Sequence, residues 1–163
     1  MKGLHIHSGY IPGAIGKITE LHARYYHRFW DFGLFFERKV AGGLTDFLGR
    51  FDTSRDGLWL TVSDDLMVGS IAIDGIHAEE KGAHLRWFIV DAELQGTGVG
   101  RTLLEQAISF SRTCRYPAIY LWTFEGLDAA RRLYESTGFI LREEIMNDSW
   151  GKQVDEQRFE KVL

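Results

Sequence analysis

The sequence has one cysteine, two prolines and no long apolar run. The single thiol, Cys114, cannot form an intramolecular disulfide or supply a cysteine-rich zinc site, which favours a reducing compartment. The first twelve residues lack a charged segment followed by a long apolar stretch, so we expect no secretory signal. No stretch reaches the roughly 18 apolar residues that a membrane helix needs. These absences predict a cytoplasmic protein that binds no membrane.

The sequence also has no excess of positively charged residues. The chain has 19 lysines and arginines against 23 aspartates and glutamates, which gives a formal net charge of −4. This sign disfavours a nucleic-acid binder. With 163 residues, 45% hydrophobic and 26% charged, the chain has the composition of one globular domain, and no repeat or linker divides it. We therefore predict a single domain over residues 1–163.

Helical and strand periods alternate along the chain. Apolar residues recur at helical spacing in four segments, which predicts helices over residues 15–29, 32–48, 99–112 and 127–137. Shorter apolar or alternating runs predict seven strands, over residues 4–8, 58–62, 66–73, 84–90, 118–122, 139–146 and 153–162. The order β-αα-βββ-α-β-α-ββ predicts an α/β sheet with helices on both faces, not a sandwich or a bundle.

The second predicted helix carries its own start, stop and break signals. Asp31 precedes it and is a plausible N-cap. Gly49 suits its C-terminal cap. Gly42 and Gly43 lie inside it, and each glycine costs about 1 kcal/mol relative to alanine. We therefore expect this helix to bend or split there.

A glycine-rich turn carries the clearest chemical signal in the sequence. Residues 84–101, HLRWFIVDAELQGTGVGR, predict a strand, a short polar turn and a helix that three glycines open. The first turn of a helix presents free N–H groups and the positive end of its dipole. Such a unit predicts an anion site, for which phosphate is the common ligand. A plain tight turn is the alternative interpretation.

Two nucleotide-binding motifs are excluded at this turn. The dinucleotide fingerprint G-x-G-x-x-G requires a third glycine where the chain has Arg101. The P-loop requires Gly-Lys-Ser/Thr, and the chain reads Gly100-Arg101-Thr102. The motif that is present is Q-x-x-G-x-G, which runs from Gln95 to Gly100.

This motif resembles the acetyl-CoA signature of the GCN5-related N-acetyltransferase (GNAT) superfamily, Arg/Gln-x-x-Gly-x-Gly/Ala at a strand–helix junction. A second stretch, residues 129–139 (AARRLYESTGF), resembles the second signature of that family. The resemblance is clearest over residues 84–144. It implies the GNAT fold, a mixed and mostly antiparallel sheet of about seven strands with helices on both faces. The segment is also similar to the acetyltransferase half of bacterial winged-helix–acetyltransferase fusions, although we expect no winged-helix half within these 163 residues.

The resemblance implies roles for particular residues, with acetyl-CoA as cosubstrate. The loop that would hold its pyrophosphate consists of Gln95, Gly96, Thr97, Gly98, Val99, Gly100 and Arg101. The preceding strand, with Phe88, Ile89 and Val90, would pair with the pantetheine arm. A backbone N–H near Ile89 or Val90 would polarise the thioester carbonyl. Tyr134 falls on the family tyrosine that protonates the departing thiolate. Arg101 could add a charge-assisted bond to phosphate, or be a solvated surface charge.

The general base is the least defined part of this prediction. An ammonium group must lose a proton before it attacks, so a carboxylate or histidine is expected. Glu125 is our choice because it follows the strand that ends near Trp122; the other candidates are His84, Asp91, Glu20 and Glu37. Many family members carry asparagine between positions 123 and 127. This chain has Phe124-Glu125-Gly126-Leu127 instead, so the supporting contact of that asparagine is not predicted here.

Three further features have a structural and a functional interpretation. Tyr134 could be a core residue, because its spacing from Ala130 and Leu133 suits burial. His5 and His7 share one strand face but have no third ligand, so we predict no metal site. Seven aromatic residues between positions 25 and 36 are core at helical spacing or part of an acceptor pocket: Tyr25, Tyr26, Phe29, Trp30, Phe32, Phe35 and Phe36.

Taken together, the sequence predicts an acetyl-CoA-dependent N-acetyltransferase. A primary amine, on a small molecule or a peptide, would attack the thioester directly in a ternary complex. The alternatives are a catalytically silent CoA-binding sensor or partner module, and an enzyme that uses another acyl-CoA. The closing strand pair could support a homodimer, as edge strands can. Fold does not fix substrate, so the identity of the acceptor is not predicted.

Overall fold

Seven strands form one sheet in the computed structural model, which describes residues 3–163. The strands are β1 (His5–Ser8), β2 (Gly57–Ser63), β3 (Leu66–Asp74), β4 (Ala83–Val90), β5 (Ala118–Phe124), β6 (Ile140–Asn147) and β7 (Val154–Val162). Their order across the sheet is β1-β2-β3-β4-β5-β7-β6, and only β4 and β5 are parallel. The predicted mixed, mostly antiparallel sheet is confirmed.

Helices cover both faces of this sheet. They are α1 (Ala14–Trp30), α2 (Leu34–Gly49), the short α3 (Ala78–Lys81), α4 (Val99–Thr113) and α5 (Asp128–Ser136). The first two pack on one face, where Ile18, Leu44 and Phe47 meet Leu58, Leu60 and Ala72. On the other face Leu103, Leu104 and Tyr134 meet Ile71, Ile119 and Phe159. In the part of the chain that the structure describes, no helix is long and apolar enough to cross a membrane.

Three predictions about α2 are corrected, namely its N-cap, its expected break and its C-cap, which is Arg50 and not Gly49. Asp31 is not its N-cap: it ends α1 in a left-handed conformation (φ 54°), and its N–H donates to the His27 carbonyl at 3.0 Å. The helix starts instead after Gly33, without a side-chain cap. It also runs unbroken through Gly42 and Gly43. A β-carbon at Gly43 would lie 3.1 Å from Arg86 Nη2 and 3.2 Å from the Trp87 ring, so this glycine lets α2 approach β4 closely.

The parallel strands β4 and β5 pair only where they begin. Ala83 lies opposite Ile119 and His84 opposite Tyr120, and the structure records no later pair between these two strands within residues 3–163. A bulge in β4 follows, where Trp87 adopts φ 46° and the register with β3 shifts. Bulges bend a strand and increase its twist. A cleft therefore opens in the middle of the sheet.

Candidate active site

The backbone of β4 faces this cleft at alternate residues. The N–H of Asp91 donates to the Val68 carbonyl at 2.8 Å, and Ile89 lies opposite Ser70, so these residues bond to β3. Because strand backbone groups alternate in direction, those of Phe88 and Val90 face the cleft. Of the two predicted donors to a thioester carbonyl, Val90 thus has its N–H on the open side, whereas the backbone of Ile89 is directed toward β3.

A cavity of about 440 Å³ lies between the end of β4, the glycine loop and α5. We name it the loop cavity. Six residues of the predicted cofactor site line it, namely Phe88, Ile89, Val90, Gln95, Gly96 and Gly100. The remaining four, Thr97, Gly98, Val99 and Arg101, are not among its lining residues; they belong to the turn and the first residues of α4 beside it.

The glycine loop leaves the N-terminus of α4 open. Gly98 is the N-cap at φ 93° and Gly96 has φ 79°, and no side chain caps the helix. A β-carbon at either position would meet nothing within 4 Å, so backbone conformation, not crowding, favours glycine there. The Thr102 N–H donates to the Gly98 carbonyl at 3.0 Å. The N–H groups of the residues between them have no intrahelical acceptor, which suits an anion.

Two polar side chains around the loop form hydrogen bonds within the protein. The Arg101 guanidinium donates to Ser136 Oγ on α5 at 3.0 Å and is exposed to solvent. Gln95 Nε2 donates to the Val90 carbonyl at 3.3 Å. Arg101 therefore links α4 to α5 beside the anion site, and its contact with phosphate stays a prediction.

A second cavity, of about 350 Å³, opens on the α1–α2 face of the cleft. We name it the aromatic cavity, because its walls include Tyr26, Phe36, Trp87, Phe88, Trp122, Phe124, Tyr134 and Trp150. Of the predicted aromatic cluster, Tyr26 and Phe36 belong to it, and Tyr25 joins Tyr26 in the loop cavity. Phe32 is buried core, whereas Phe29 and Phe35 are exposed. Some of these aromatic residues therefore belong to the core and others line a cavity, so both interpretations that the sequence left open apply.

Tyr134 lines both cavities at the point where they meet. Its side chain is 5% exposed and packs against Phe139 and Phe159, with ring centroids 5.9 Å apart in each pair. It is therefore a core residue as well as a cavity residue. Burial raises the pKa of Tyr134, so its hydroxyl stays protonated at neutral pH and remains a proton donor.

One carboxylate lines the aromatic cavity among the described residues, that of Glu156 on β7. Its side chain is 6% exposed. The Trp150 indole N–H donates to one oxygen and the Asn147 amide N–H to the other. Lys39 lies over the Trp150 ring, with Nζ 4.1 Å from the ring centroid, and donates to the Ser149 carbonyl. Burial lowers the pKa of Lys39, and the Glu156 charge partly opposes this shift.

Two histidines in the aromatic cavity are held neutral. His22 Nδ1–H donates to the Ile18 carbonyl at 2.8 Å, and burial lowers the pKa of His22 to about 4. His84 stacks on Tyr120 with ring centroids 4.5 Å apart. Burial, with Arg86 nearby, lowers the pKa of His84 to about 3. At neutral pH neither ring adds positive charge to the cavity.

The cavity also holds a guanidinium group. Arg86 Nη1 lies 3.3 Å from the carboxylate of Asp74, which also binds Arg50 at 2.6 Å. The Asp74 carboxylate thus forms ion pairs with two guanidinium groups. The Arg86 guanidinium also stacks on the Trp87 ring, 4.0 Å from its centroid. Arg86 and Lys39 are thus two cations that line the aromatic cavity together with the carboxylate of Glu156.

The structure does not bring Glu125 together with Tyr134. Glu125 is exposed and lines a separate depression near Lys152 and Asp155. A hydrogen bond with Asp155 and the charge of that carboxylate raise the pKa of Glu125. Its N–H donates to the Asp155 carbonyl, which directs the turn after β5 along β7. Of the five base candidates only His84 lines the aromatic cavity; Glu20, Glu37, Asp91 and Glu125 line neither cavity.

Sequence reasoning missed Glu156 and Trp150. The β7 segment reads VDEQRFEKV, and its run of polar residues gives no clear apolar–polar alternation that would show which side chains face the interior. Trp150 stands in the turn between β6 and β7, where no periodicity applies. The one available signal was the alternation of Val154 and Glu156, which shares a face with the buried valine.

The splayed parallel strand pair, the open helix N-terminus after the glycine loop and the tyrosine between two cavities are the arrangement that the resemblance to the GNAT superfamily led us to expect. A model of the "Acetyltransferase (GNAT) family" matches residues 16–139. The chain belongs to this family, as its motifs predicted.

Curated relatives match part of the chain. N-acetylaspartate synthetases of Rattus norvegicus and Homo sapiens are 33% identical over 81 residues, which is 50% of this chain. N-acetyltransferase 8B of Homo sapiens is 28% identical over 100 residues, or 60% of this chain. The chain spans 27% and 26% of the length of the two synthetases and 44% of N-acetyltransferase 8B.

Solved structures match nearly the whole chain. An acetyltransferase of the GNAT family from Staphylococcus aureus has a TM-score of 0.78 at 18% identity and covers 99% of both chains. A Salmonella typhimurium protein described as an acetyltransferase and solved with acetyl-CoA has a TM-score of 0.76 at 16% identity. It covers 99% of this chain and 95% of its own. These identities establish a shared fold.

Proposed function

We propose that the protein transfers acetyl from acetyl-CoA directly to a primary amine in a ternary complex. The observation that carries this proposal is the position of Tyr134, a buried hydroxyl that lines both cavities. Acetyl-CoA occupies the loop cavity and the amine occupies the aromatic cavity. Their reacting atoms then meet beside one proton donor, which favours direct transfer over a covalent intermediate.

The cofactor is held mainly by backbone groups. Its pyrophosphate binds the free N–H groups at the start of α4, from Gly98 to Arg101. Its pantetheine arm lies in the cleft and pairs with Phe88 and Val90 as an added strand would. The Val90 N–H points to the thioester carbonyl and stabilises the oxyanion that forms on attack. Arg101 adds a charge-assisted bond to phosphate.

Tyr134 supplies the proton that the leaving thiolate needs. The amine nitrogen bonds to the carbonyl carbon, and the C–S bond then breaks. Because burial disfavours a free phenolate, Tyr134 gives its proton to sulfur as it receives one from the adduct nitrogen. The hydroxyl is neutral before and after the step, so no charge is left in the buried site.

The acceptor is a small-molecule or peptide amine. The relatives named N-acetylaspartate synthetase make an acetylated amino acid by their name, and they match half of this chain. An amino-acid-like acceptor suits the aromatic cavity, because Lys39 and Arg86 are cations that an acidic group can approach. The similarity to winged-helix fusions, the cytoplasmic location and the lack of nucleic-acid or membrane partners stay predictions.

The test is turnover on a panel of amines with acetyl-CoA, followed by release of free thiol. We expect thiol release that depends on the amine and an acetylated amine as product. Binding of acetyl-CoA without acetylation of any amine would instead support the silent CoA-binding module. Faster turnover with succinyl-CoA or a longer acyl-CoA would identify another acyl donor.

A homodimer is proposed on the sheet edge. β6 is an edge strand, and Ile140, Ile145 and Met146 expose their side chains on it. Edge strands with exposed apolar residues are prone to pair with another chain. Light scattering of the purified protein distinguishes a dimer from a monomer.

A further inference from the structure

The carboxylate of Glu156 is buried in the wall of the aromatic cavity without a cation bound to it. Its two oxygens accept from the neutral N–H groups of Trp150 and Asn147. Among the described residues, no lysine, arginine or histidine forms an ion pair with it. A buried charge without a partner is costly, and such groups are normally paired or bind a ligand of opposite charge.

Both oxygens of Glu156 keep capacity for a further hydrogen bond. A carboxylate has about four lone-pair sites, and the two N–H donors use one on each oxygen. The donors also orient the group, because Asn147 approaches from the end of β6 and Trp150 from the turn that follows. Glu156 itself lies on β7 opposite Phe124 of β5, which lines the same cavity. The cavity therefore presents one oriented carboxylate that forms no ion pair within 4 Å among the described residues, with Lys39 nearby.

We propose that Glu156 binds the ammonium group of the acceptor and takes up the proton that must leave before attack. This inference rests on the proposed function. One proton passes from the ammonium nitrogen to Glu156, and the freed lone pair forms the C–N bond with the thioester carbon. The second nitrogen proton passes to Tyr134 as that residue protonates the CoA sulfur. Glu156 then releases its proton to solvent, so protons and charge balance.

The same geometry sets the class of acceptor. One carboxylate matches one ammonium group, and aromatic walls favour an apolar body and stabilise a cation by cation–π contact. Lys39 and Arg86 line the cavity as cations and repel a second ammonium group. The acceptor is therefore an amine with a single positive charge and an apolar or acidic body, and a polyamine is disfavoured.

The first experiment compares acceptors with the wild-type protein. Phenethylamine, phenylalanine and aspartate are each assayed against putrescine and spermidine at pH 7. We expect at least one of the first three to exceed both polyamines in kcat/KM by about tenfold or more. Faster turnover of either polyamine would overturn the acceptor class. Turnover of no amine would contradict the proposed function itself, and with it this inference.

The second experiment tests Glu156 with a matched control. Glu156→Gln keeps the size of the side chain, and Glu125→Gln removes the exposed carboxylate that the sequence favoured. With the best acceptor of the panel at pH 7, we expect Glu156→Gln to lose about 100-fold in kcat/KM. Glu125→Gln should stay within twofold of wild type. The acetyl-CoA affinity should be unchanged in both variants.

A pH series separates proton transfer from a structural role. Titratable and charged groups that line the cavity with Glu156 are His22, Tyr26, Lys39, His84, Arg86 and Tyr134. As the pH rises toward the pKa of the acceptor, more amine is neutral and needs neither ammonium binding nor proton removal. The defect of Glu156→Gln should therefore shrink with pH, and Glu156→Asp should recover part of the activity at pH 7.

Two results would overturn the role of Glu156. One is a Glu156→Gln variant with wild-type kcat/KM. The other is a defect that stays constant with pH and that Glu156→Asp does not relieve, which would indicate a purely structural carboxylate. Thermal unfolding of each variant checks that the fold is retained. In both cases amine turnover by wild type would leave the proposed function standing.

Discussion

The ring of Tyr134 on α5 packs against the ring of Phe88 on β4, with centroids 6.1 Å apart, at the junction of the two cavities. Both residues line both cavities. The strand that we propose to pair with the cofactor is thus in contact with the proposed proton donor. In the proposed mechanism, the thioester sulfur and the amine meet beside this contact.

Replacement of Tyr134 by phenylalanine tests the proton donor. Tyr134→Phe keeps the ring and its packing on Phe139 and Phe159, and removes only the hydroxyl. We expect kcat to fall by about 100-fold or less, with acetyl-CoA affinity nearly unchanged. Steady-state kinetics and a cofactor titration measure the two quantities. Undiminished turnover would show that another group protonates the thiolate.

Replacement of Gly98 tests the anion site. Gly98→Ala forces a left-handed conformation on alanine at a cost of about 1 kcal/mol or more, which displaces the N–H groups at the start of α4. We expect acetyl-CoA affinity to fall by about tenfold, and Gly98→Glu to lose more because its charge repels phosphate. Gly16→Ala on α1 is the control, since a β-carbon there meets nothing within 4 Å. Unaltered affinity in Gly98→Glu would place the pyrophosphate elsewhere.

The pair Gly42 and Gly43 tests how closely α2 approaches β4. Alanine at Gly42 meets nothing within 4 Å, so helix propensity should stabilise Gly42→Ala by up to about 1 kcal/mol. Gly43→Ala gains the same propensity but crowds Arg86 and Trp87 at 3.1–3.2 Å. We expect Gly43→Ala to be less stable than Gly42→Ala in urea unfolding. Equal stabilisation of both variants would contradict the close contact.

His22 makes the free energy of unfolding depend on pH. Its pKa is lowered to about 4 in the folded protein, against about 6.5 in an unfolded chain, so the unfolded state binds more protons between these values. Stability should therefore fall as the pH drops from about 6.5 to 4 and lose about 3 kcal/mol from this group. His22→Gln should flatten that part of the stability curve in urea unfolding. Parallel curves for variant and wild type would show that His22 titrates normally.

The strand–loop–helix unit and Tyr134 were predictable because their signals are local. The glycines at 96 and 98 lie in the short segment between β4 and α4 and have the positive φ that glycine adopts readily. The role of Asp31 was not predictable in the same way. An aspartate between two helices suits the end of one or the start of the other, and the packed position of α2 decides which.

The acceptor side depends on tertiary contacts. Glu156 and Lys39 are about 117 positions apart and meet only because β7 inserts between β5 and β6. No local pattern shows that insertion. Glu125 was attractive by its place after β5, yet the turn that follows directs it away from both cavities.

The central claim is that the loop cavity holds acetyl-CoA with its pyrophosphate at the start of α4. Calorimetric titration of the purified protein with acetyl-CoA, and with CoA as the control, tests it most directly. We predict saturable binding of both ligands with micromolar affinity, one molecule per chain. Absence of binding for both ligands would show that the glycine loop is structural here, and would contradict the proposed function and the role of Glu156.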